Sequence, residues 1–438
     1  MSHPRPTGDH RKPLPLVDRL RRLVVVEPGE WPALLWSFAF FFCVLCAYYI
    51  LRPVRDAMGV TVGPDYQKWL FSIVFVVMLA AVPIFGWVAS TFAKRLVLPI
   101  VYVFFIANLL VFWALIRTRA DSPNIASAFF VWVSVFNLFV VSLFWSFLAD
   151  HYASDQAKRL YGFITAGGSL GVLAGSSLTN SLVHVVGVPN LLLISATVLT
   201  AALGCALALR SLLPALGDTE HAPHAGIRDI LSGALHSWND PYLFRIALWV
   251  LLANLVGTYF YIEEQRIVRA ALTVKADQVA FFSSRDRIVS VLQLASQFFL
   301  TGFLLRRFGI GLCAAALPVA AVAGLVALWA SPTLTVIWLV MIAERATAFG
   351  LSNPATRVLW TVVEPEDKYK TQNFIDTVVY RGGDAASAWA VNGLTQGQRL
   401  PMSGVAALML PLALGWLALT FQLSRKHDER AGDQPPAR

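Results

Sequence analysis

The segment ALLWSFAFFFCVLCAYYILRPVRD, residues 33–56, decides the fold class of this chain. Its first part, residues 33–51, carries no charge. An uncharged run of this length crosses a hydrocarbon core of roughly 30 Å as a helix. Lipid offers no partner for a free backbone N–H or C=O group, so a segment in the bilayer has to be helical. The segment therefore predicts a membrane-spanning helix that leads into the charged residues Arg52, Arg55 and Asp56.

Comparable apolar runs recur along most of the 438 residues, of which 57% are hydrophobic and only 14% charged. A soluble domain of this size would carry more charge on its surface. A membrane β-barrel would show segments of about 10 residues with alternating polarity, whereas these runs are continuous. We therefore expect an all-α polytopic membrane protein with 12 transmembrane helices. Their starts are predicted near residues 33, 68, 96, 125, 161, 189, 243, 279, 309, 333, 371 and 402.

The longest polar segment lies between the sixth and seventh spans and divides the chain into two bundles of six helices. The expected parts are a basic cytoplasmic tail at 1–30, an N-terminal bundle at 31–210, a cytoplasmic linker at 211–241, a C-terminal bundle at 242–423 and a cytoplasmic tail at 424–438. In the first tail, Leu16, Leu20 and Leu23 share one helical face among arginines. This pattern predicts a short helix on the membrane surface.

Most lysines and arginines lie in the tails and in short loops on one side of the expected membrane. This bias predicts that both termini are cytoplasmic, and we expect the protein in a bacterial inner membrane. The same distribution accounts for the formal charge of +9 without a nucleic-acid partner. We expect a monomer whose partners are the lipid bilayer and a small-molecule substrate. The four cysteines lie inside apolar runs, so no metal site and no cofactor is expected.

The two halves of the sequence match each other at a nearly constant offset. Four matches lie 214 to 216 residues apart: Arg52 and Arg55 with Arg266 and Arg269, Gly86 with Gly302, Trp145 with Trp360, and Gly167–Gly168 with Gly382–Gly383. An even number of spans in each repeat makes the repeats parallel. This arrangement resembles the two-bundle architecture of the major facilitator superfamily. The resemblance implies one solute path between the bundles.

Charged and polar residues within the apolar runs are the candidate site residues, because a charge at the bilayer centre costs roughly 3 kcal/mol or more. Arginine binds phosphate or carboxylate with two bonds at once, so the matched arginine pairs are expected to flank a central path for an anion. Interfacial anchoring at the helix ends is the alternative. The candidates for substrate binding are Tyr49, Arg52, Arg55, Arg266, Arg269, Gln293, Arg345, Asn353 and Arg381.

Carboxylates in the same runs are candidates for coupling and gating, because they can take up a proton or pair with arginines. Local salt bridges without a transport role are the alternative reading. The acidic candidates are Asp56, Glu263, Glu264, Asp286, Glu344, Asp376 and Asp384. Asp286 also begins a polar stripe with Ser290, Gln293 and Gln297 at helical spacing, which predicts a helix face that lines the cavity.

Three patches of the sequence resemble the ATP/ADP translocases of plastids and intracellular bacteria. They are YYILRPVRD at 48–56, FWSF at 144–147 with AKRLY at 157–161, and EDKYK at 366–370 followed by Ile375-Asp376 and Arg381. The resemblance implies nucleotide exchange with Arg55 on a phosphate. It implies that Glu263 or Glu264 is the functional acid of the seventh span and that Lys368 or Lys370 is a cytoplasmic base. The stretch from Asn254 to Arg269 matches more loosely and adds Asn254 to the candidates.

The sequence therefore predicts a secondary-active transporter of an anionic organic solute, with exchange of ATP and ADP as the specific expectation. One alternative is a proton-coupled carrier of a different small solute. Another is a membrane sensor or scaffold that transports nothing. An enzyme is not expected, because the loops contain no nucleophile with a base partner and no cluster of metal ligands.

Overall fold

The computed structural model describes residues 26–27, 29–91, 94–119, 121–213, 238, 240–397 and 400–432. The predicted surface helix of the basic tail lies outside this part of the chain, as does most of the linker between the two bundles. Side chains at 82, 85–95, 298, 365–366, 369–370, 373 and 377 are likewise outside the description.

The described residues form twelve helical spans. They are α1 (Trp31–Val62), α2 (Gln67–Thr91), α3 (Lys94–Thr118), α4 (Pro123–His151), α5 (Ser154–Val186), α6 (Val188–Leu212), α7 (Pro241–Ala271), α8 (275–308), α9 (310–330), α10 (Leu334–Val362), α11 (365–397) and α12 (Met402–Gly432). A kink at Gly309, with φ 76°, separates α8 from α9. The predicted all-α architecture is confirmed, and each helix begins within seven residues of its expected start.

Among the described residues, nine helices are long and apolar enough to cross a membrane. The first segment of α8, Lys275–Ala295, and the whole of α11 are not among these nine. Both carry charges in their middle, at Arg285 and Asp286 in α8 and at Arg381 and Asp384 in α11. Such helices are stable in a bilayer only where protein or a water-filled cavity receives the charged side chains.

Helices α1 and α5 form the closest helix pair of the N-terminal half. A Cβ atom added at Gly167, Gly171 or Gly175 would overlap the backbone carbonyl oxygens of Phe38, Phe42 and Cys46 on α1. In the C-terminal half, a Cβ atom added at Gly383 of α11 would overlap the side-chain amide of Asn254 on α7. Small residues at such a crossing let two backbones approach each other. The glycines of α5 therefore allow its backbone to contact the backbone of α1.

The two halves meet at the end of the molecule opposite the chain termini. In one contact, Asn180 of α5 donates a hydrogen bond to the carbonyl oxygen of Ala280 on α8, at 3.0 Å. In another, Lys68 of α2 donates to Asn392 of α11 at 2.6 Å. Beside it, Trp69 and Trp389 pack with their ring centroids 5.0 Å apart. These contacts close the space between the halves at this end.

A larger residue at Gly171 is expected to destabilise the N-terminal bundle. The substitution Gly171→Val would push its side chain into the α1 backbone at Phe42, and overpacking of this kind costs about 1–3 kcal/mol. Thermal unfolding of the purified protein should therefore occur at a lower temperature. Gly204→Ala in α6 is the matched control, since nothing lies within 4 Å of the added Cβ. Equal losses in both variants would contradict the close approach of α1 and α5.

Candidate functional site

A cavity of about 620 Å³ lies between the two halves of the molecule. Its walls come from α1, α2 and α4 on one side and from α7, α9, α10, α11 and α12 on the other. Ile246, Trp360 and Leu423 line it near the end where the chain termini lie, while Arg52 and Arg55 line its inner part. A cavity of this size accommodates a small organic molecule.

Arg285 on α8 organises the charged inner end of this region. It is fully buried and contacts three carboxylates on three different helices. Its Nη1 donates to both oxygens of Glu264 on α7, and its Nη2 donates to Asp56 on α1 at 3.0 Å. The same Nη2 donates to Asp286 at 2.9 Å. A buried arginine is tolerated only when such partners compensate its charge, and here the partners come from both halves.

Three further arginines extend the cluster into the cavity. Arg345 of α10 donates to Asp286 at 3.1 Å, and Arg55 donates to the neighbouring Asp56 at 2.8 Å. The Nε of Arg52 lies 3.7 Å from the second carboxylate oxygen of Asp286, which accepts no hydrogen bond. Each of the three guanidinium groups therefore shares its counter-ion with another arginine.

The cluster carries more positive than negative charge. Among its described members, four arginines face three carboxylates: Arg52, Arg55, Arg285 and Arg345 against Asp56, Glu264 and Asp286. Of the described residues that line the cavity, five are arginines and three are carboxylates. Arg52, Arg55 and Arg345 belong to both sets, so the described residues of the cluster and the lining together contain six arginines and six carboxylates. The excess of positive charge is therefore that of the ion cluster at the inner end, where it favours an anionic group.

The acidic residues of the lining lie on α10 and α11. Glu344 and Asp376 line the cavity, and in the described part of the chain neither makes an ion pair or a side-chain hydrogen bond. Asp384 lies 3.7 Å from Arg381 one helical turn away, and Thr258 donates to it at 3.5 Å. The lining therefore contains two carboxylates that face the cavity without a counter-ion among the described residues.

Helices α10 and α11 each contain a π-helical turn beside the cavity, at Ala348–Ser352 and Ile375–Val379. Phe349 and Asp376, which both line the cavity, belong to these turns. A π turn inserts one extra residue into the helix and rotates the following side chains, and such turns are frequent at functional sites. The turns therefore help to aim Asp376, Tyr380 and Arg381 inward.

Most of the predicted site residues on α1, α7, α10 and α11 contribute to one region. The residues that line the cavity are Arg52, Arg55, Asn254, Glu344, Arg345, Asn353, Asp376, Arg381 and Asp384. Asp56, Glu264 and Asp286 belong to the buried ion cluster at its inner end. Asn254 also donates to the carbonyl oxygen of Tyr380 at 2.8 Å, which fixes α7 against α11.

The expectation that Arg266 and Arg269 face the cavity is wrong. Arg266 pairs with Glu263 on its own helix, and Arg269 is exposed, with its guanidinium against Gly63 at the end of α1. The helices themselves are offset by 210 residues at their starts and 209 at their ends. The sequence offset of 214 is longer by about one turn, which moves a side chain roughly 5.4 Å along the helix. Arg269 therefore lies at the end of α7, whereas Arg55 lies inside α1.

Other predicted residues also lie away from the cavity lining. Tyr49 accepts a hydrogen bond from Arg52 at 3.1 Å, while its neighbour Tyr48 is the residue that lines the cavity. Glu263 is occupied by Arg266. Of the polar stripe on α8, Asp286 joins the cluster, but Gln293 is not among the lining residues and Gln297 is exposed. The prediction that this stripe lines the cavity is wrong.

The two lysines implied by the family resemblance have different outcomes. Lys368 is not among the residues that line the cavity. The side chain of Lys370 lies outside the described residues. The role of both lysines therefore remains a prediction.

Sequence reasoning missed the role of Arg285 and the cavity position of Arg357 and Thr258. Arg285 is a charged residue within a membrane helix, which is a signal in the sequence. The helical spacing of the polar stripe, however, begins at its neighbour Asp286 and favours that residue. A fully buried arginine needs several hydrogen-bond acceptors. Asp56 on α1 and Glu264 on α7 are the acidic residues of the sequence that could have indicated such partners. Only the packing of α8 between the halves shows that these acids reach it.

A twelve-helix fold with a polar cavity between two six-helix halves is the structure of a membrane carrier of solutes. The sequence profile of the Major Facilitator Superfamily matches residues 37–388, and the chain belongs to this family. It is therefore an integral membrane transporter whose substrate is a small molecule. No curated protein matches the chain as a whole.

Solved structures with the same fold include transporters of several kinds. The nucleoside transporter NupG is 15% identical, with a TM-score of 0.60 over 91% of this chain and 99% of NupG. A bacterial homologue of the human lysosomal transporter Spinster, in an inward-facing and unoccupied conformation, is 14% identical, with a TM-score of 0.56 over 94% and 100%. A D-xylose–proton symporter is 10% identical, with a TM-score of 0.58 over 91% and 97%. At these identities the likeness establishes the fold and leaves the substrate open.

Removal of Arg285 is expected to destabilise the protein strongly. Arg285→Leu leaves the carboxylates of Asp56, Glu264 and Asp286 without their shared counter-ion, and loss of one partner from a buried pair costs about 3–5 kcal/mol. Arg285→Lys keeps the charge but not the planar fork, so its loss should be smaller. Thermal unfolding of the purified variants measures both. The control is Lys158→Ala, which removes an exposed pair with Asp155 and should leave the unfolding temperature unchanged.

Proposed function

We propose that this transporter carries an anionic organic solute by alternating access, and that Arg52, Arg55 and Arg345 bind the anionic group. The observation that carries the proposal is the positive excess at the inner end of the cavity. Four arginines share three carboxylates there, and two of the four, Arg52 and Arg345, depend on the single carboxylate of Asp286. A phosphate or carboxylate group of the solute would supply the missing negative charge.

The same arrangement favours exchange over one-way release. When a bound anion leaves, Arg52, Arg55 and Arg345, whose side chains are largely buried, lose a counter-ion. The desolvated positive charge is then costly until another anion enters or the internal carboxylates move closer. The carrier with a bound anion therefore changes conformation more easily than the empty carrier. We therefore propose exchange of one anion for another as the transport mode.

A nucleotide of the ATP/ADP type is the specific candidate. The partly exposed aromatic ring of Tyr48 lines the cavity and offers a face on which a base can stack, whereas Phe130 and Trp249 in the same lining are buried. The amides of Asn254 and Asn353 lie in the same lining and can form hydrogen bonds with base edges. The likeness of three sequence patches to ATP/ADP translocases supports the same candidate. In this proposal Lys368 and Lys370 attract the phosphates on the side of the chain termini.

The orientation in the membrane is part of the proposal. The concentration of basic residues on the side of the termini favours a cytoplasmic location for this side, in a bacterial inner membrane. The cavity reaches towards the same side, and the opposite end is closed by the contacts between α2 and α11. The conformation would then be the inward-facing member of the transport cycle.

Neutralisation of a cavity arginine should reduce transport of the anion. Arg345→Gln removes one charge-assisted contact, worth about 1.5–3 kcal/mol, and the apparent affinity should fall roughly 10- to 100-fold. Uptake of labelled ATP or ADP into proteoliposomes, with and without nucleotide inside, measures the effect. A parallel panel of phosphate esters and organic acids identifies the solute if nucleotides give no signal.

Arg269→Gln is the matched control for this experiment. It removes the same charge from a position that sequence symmetry favoured but that lies outside the cavity. Uptake by this variant should equal that of the wild type. Equal effects of Arg345→Gln and Arg269→Gln would speak against binding of the anion at the cavity arginines.

Proton coupling is the second candidate, and the free carboxylates of Glu344 and Asp376 favour it. Each faces the cavity without an ion pair among the described residues, so each can gain or lose a proton without breaking a salt bridge. Protonation of one carboxylate during transport would move one proton with each solute. This mode predicts uptake driven by a pH gradient in the absence of internal solute.

Glu344→Gln separates the two modes. If the carrier is proton-coupled, this variant should lose uphill uptake driven by a pH gradient but keep counterflow between equal solute pools. If the carrier is a pure exchanger, the pH gradient should drive no uptake even in the wild type. Asp155→Asn is the control, because Asp155 is an exposed carboxylate that pairs with Lys158 on its own helix and does not line the cavity.

A further inference from the structure

A second basic pocket lies between α7 and α12, on the outer surface of the C-terminal half. It has a volume of about 460 Å³ and is lined by Arg245, Phe421, Gln422, Arg425 and Lys426. None of these five residues lines the central cavity. The pocket is near the end of the molecule where the chain termini lie, since Arg245 is in the second turn of α7.

The exposed residues of α12 locate this pocket at the edge of the hydrocarbon layer. Leu414 and Phe421 are exposed apolar residues two turns apart, and Arg425 follows one turn after Phe421. The outer face of α12 therefore changes from apolar to basic at the pocket. Near the start of α7, Trp238 packs against Phe244 with ring centroids 5.6 Å apart, and both are exposed. Aromatic residues of this kind collect at the membrane–water boundary.

The walls of the pocket are held together by an ion pair. Arg430 of α12 donates to both oxygens of Asp240, the N-terminal cap of α7, at 2.8 and 3.1 Å. Burial raises the pKa of Asp240, but the hydrogen bonds from Arg430 and from the Tyr242 backbone N–H outweigh it and hold the pKa below its usual range. Asp240 is therefore charged near neutral pH, and the contact fixes the start of α7 against the end of α12, the two helices that line the pocket.

The pocket has an uncompensated positive charge. Arg425 and Lys426 share one carboxylate, that of Glu429, at 3.1 and 2.7 Å. Arg245 has no carboxylate partner in the described part of the chain, and its guanidinium donates only to the Pro241 carbonyl oxygen, at 3.3 Å. Three basic side chains therefore have one carboxylate partner, that of Glu429, among the described residues. They lie at the expected level of the lipid headgroups, next to the exposed ring of Phe421.

We propose that this pocket binds the phosphodiester headgroup of an anionic phospholipid, with an acyl chain against Phe421. Arg245 and Lys426 lie on opposite walls and would contact the phosphate oxygens. A lipid suits the site better than a soluble phosphate, because the pocket is continuous with a face of α12 that only acyl chains cover. A zwitterionic lipid brings its own cation and would gain less from the excess charge.

Titration of phosphatidylglycerol into the purified full-length protein in mixed micelles tests the proposal. A lipid that binds only the folded protein raises the unfolding temperature, and phosphatidylcholine at the same mole fraction gives the baseline. We expect half-maximal stabilisation of the double variant Arg245→Gln/Lys426→Gln to need roughly 25-fold more phosphatidylglycerol, about five-fold for each basic residue. Arg117→Gln removes an exposed arginine at the end of α3 and should leave the titration unchanged.

Three results would overturn the proposal. One is a double variant that responds to phosphatidylglycerol as the wild type does. Another is an equal stabilisation of the wild type by inorganic phosphate or glycerol phosphate, which would identify a soluble anion as the ligand. The third is a phosphatidylglycerol titration of Arg117→Gln that is weakened as much as that of the double variant. This result would indicate a general effect of surface charge. The unfolding temperatures in phosphatidylcholine alone establish that each variant is folded before the comparison.

Discussion

The buried guanidinium of Arg285 is the constraint on which the rest of the structure depends. An isolated charge at this position would be too costly to keep, so the three carboxylates around it have to be in place. Asp56 comes from the N-terminal half, while Glu264 and Asp286 come from the C-terminal half. The ion cluster therefore holds the two halves together at the inner end of the cavity, and this end can open only if the cluster is rearranged.

The cluster and the cavity are parts of one electrostatic system. Arg52, Arg55 and Arg345 belong to both, so any anion bound in the cavity would compete with Asp56 and Asp286 for the same donors. Of these pairs, Arg52 with Asp286 joins the two halves, at 3.7 Å. Binding would then weaken this contact, and a differential effect of this kind is the requirement for coupling a solute to a conformational change. The apolar packing of α1 on α5, with backbone-to-backbone contact at the glycines, keeps each half rigid while this occurs.

The two halves contribute differently to the site despite their common architecture. Helix α1 supplies Arg52, Arg55 and Asp56, whereas α10 and α11 supply the carboxylates of Glu344 and Asp376 and the π turns. The duplicated fold provides equivalent helix positions, but the residues at those positions have diverged. The matched arginines of the sequence repeat illustrate this point, since Arg55 lines the cavity and Arg269 packs on Gly63 at the surface of the closed end.

The sequence by itself determined the all-α membrane class and the twelve spans, because these depend on a local property, the length of each apolar run. It also identified most of the charged residues around the cavity, since a charge in an apolar run needs a polar environment. Only the tertiary structure decided which charges meet. The match between the two repeats differs from the helix positions by about one turn, so Arg266 and Arg269 lie outside the site. The carboxylates that surround Arg285 come in part from helices α1 and α7, which are distant from it in sequence. Packing between helices sets the rotation of each helix about its axis and its position along the membrane normal. The residue pattern of a single helix therefore cannot predict which of its side chains reach the site.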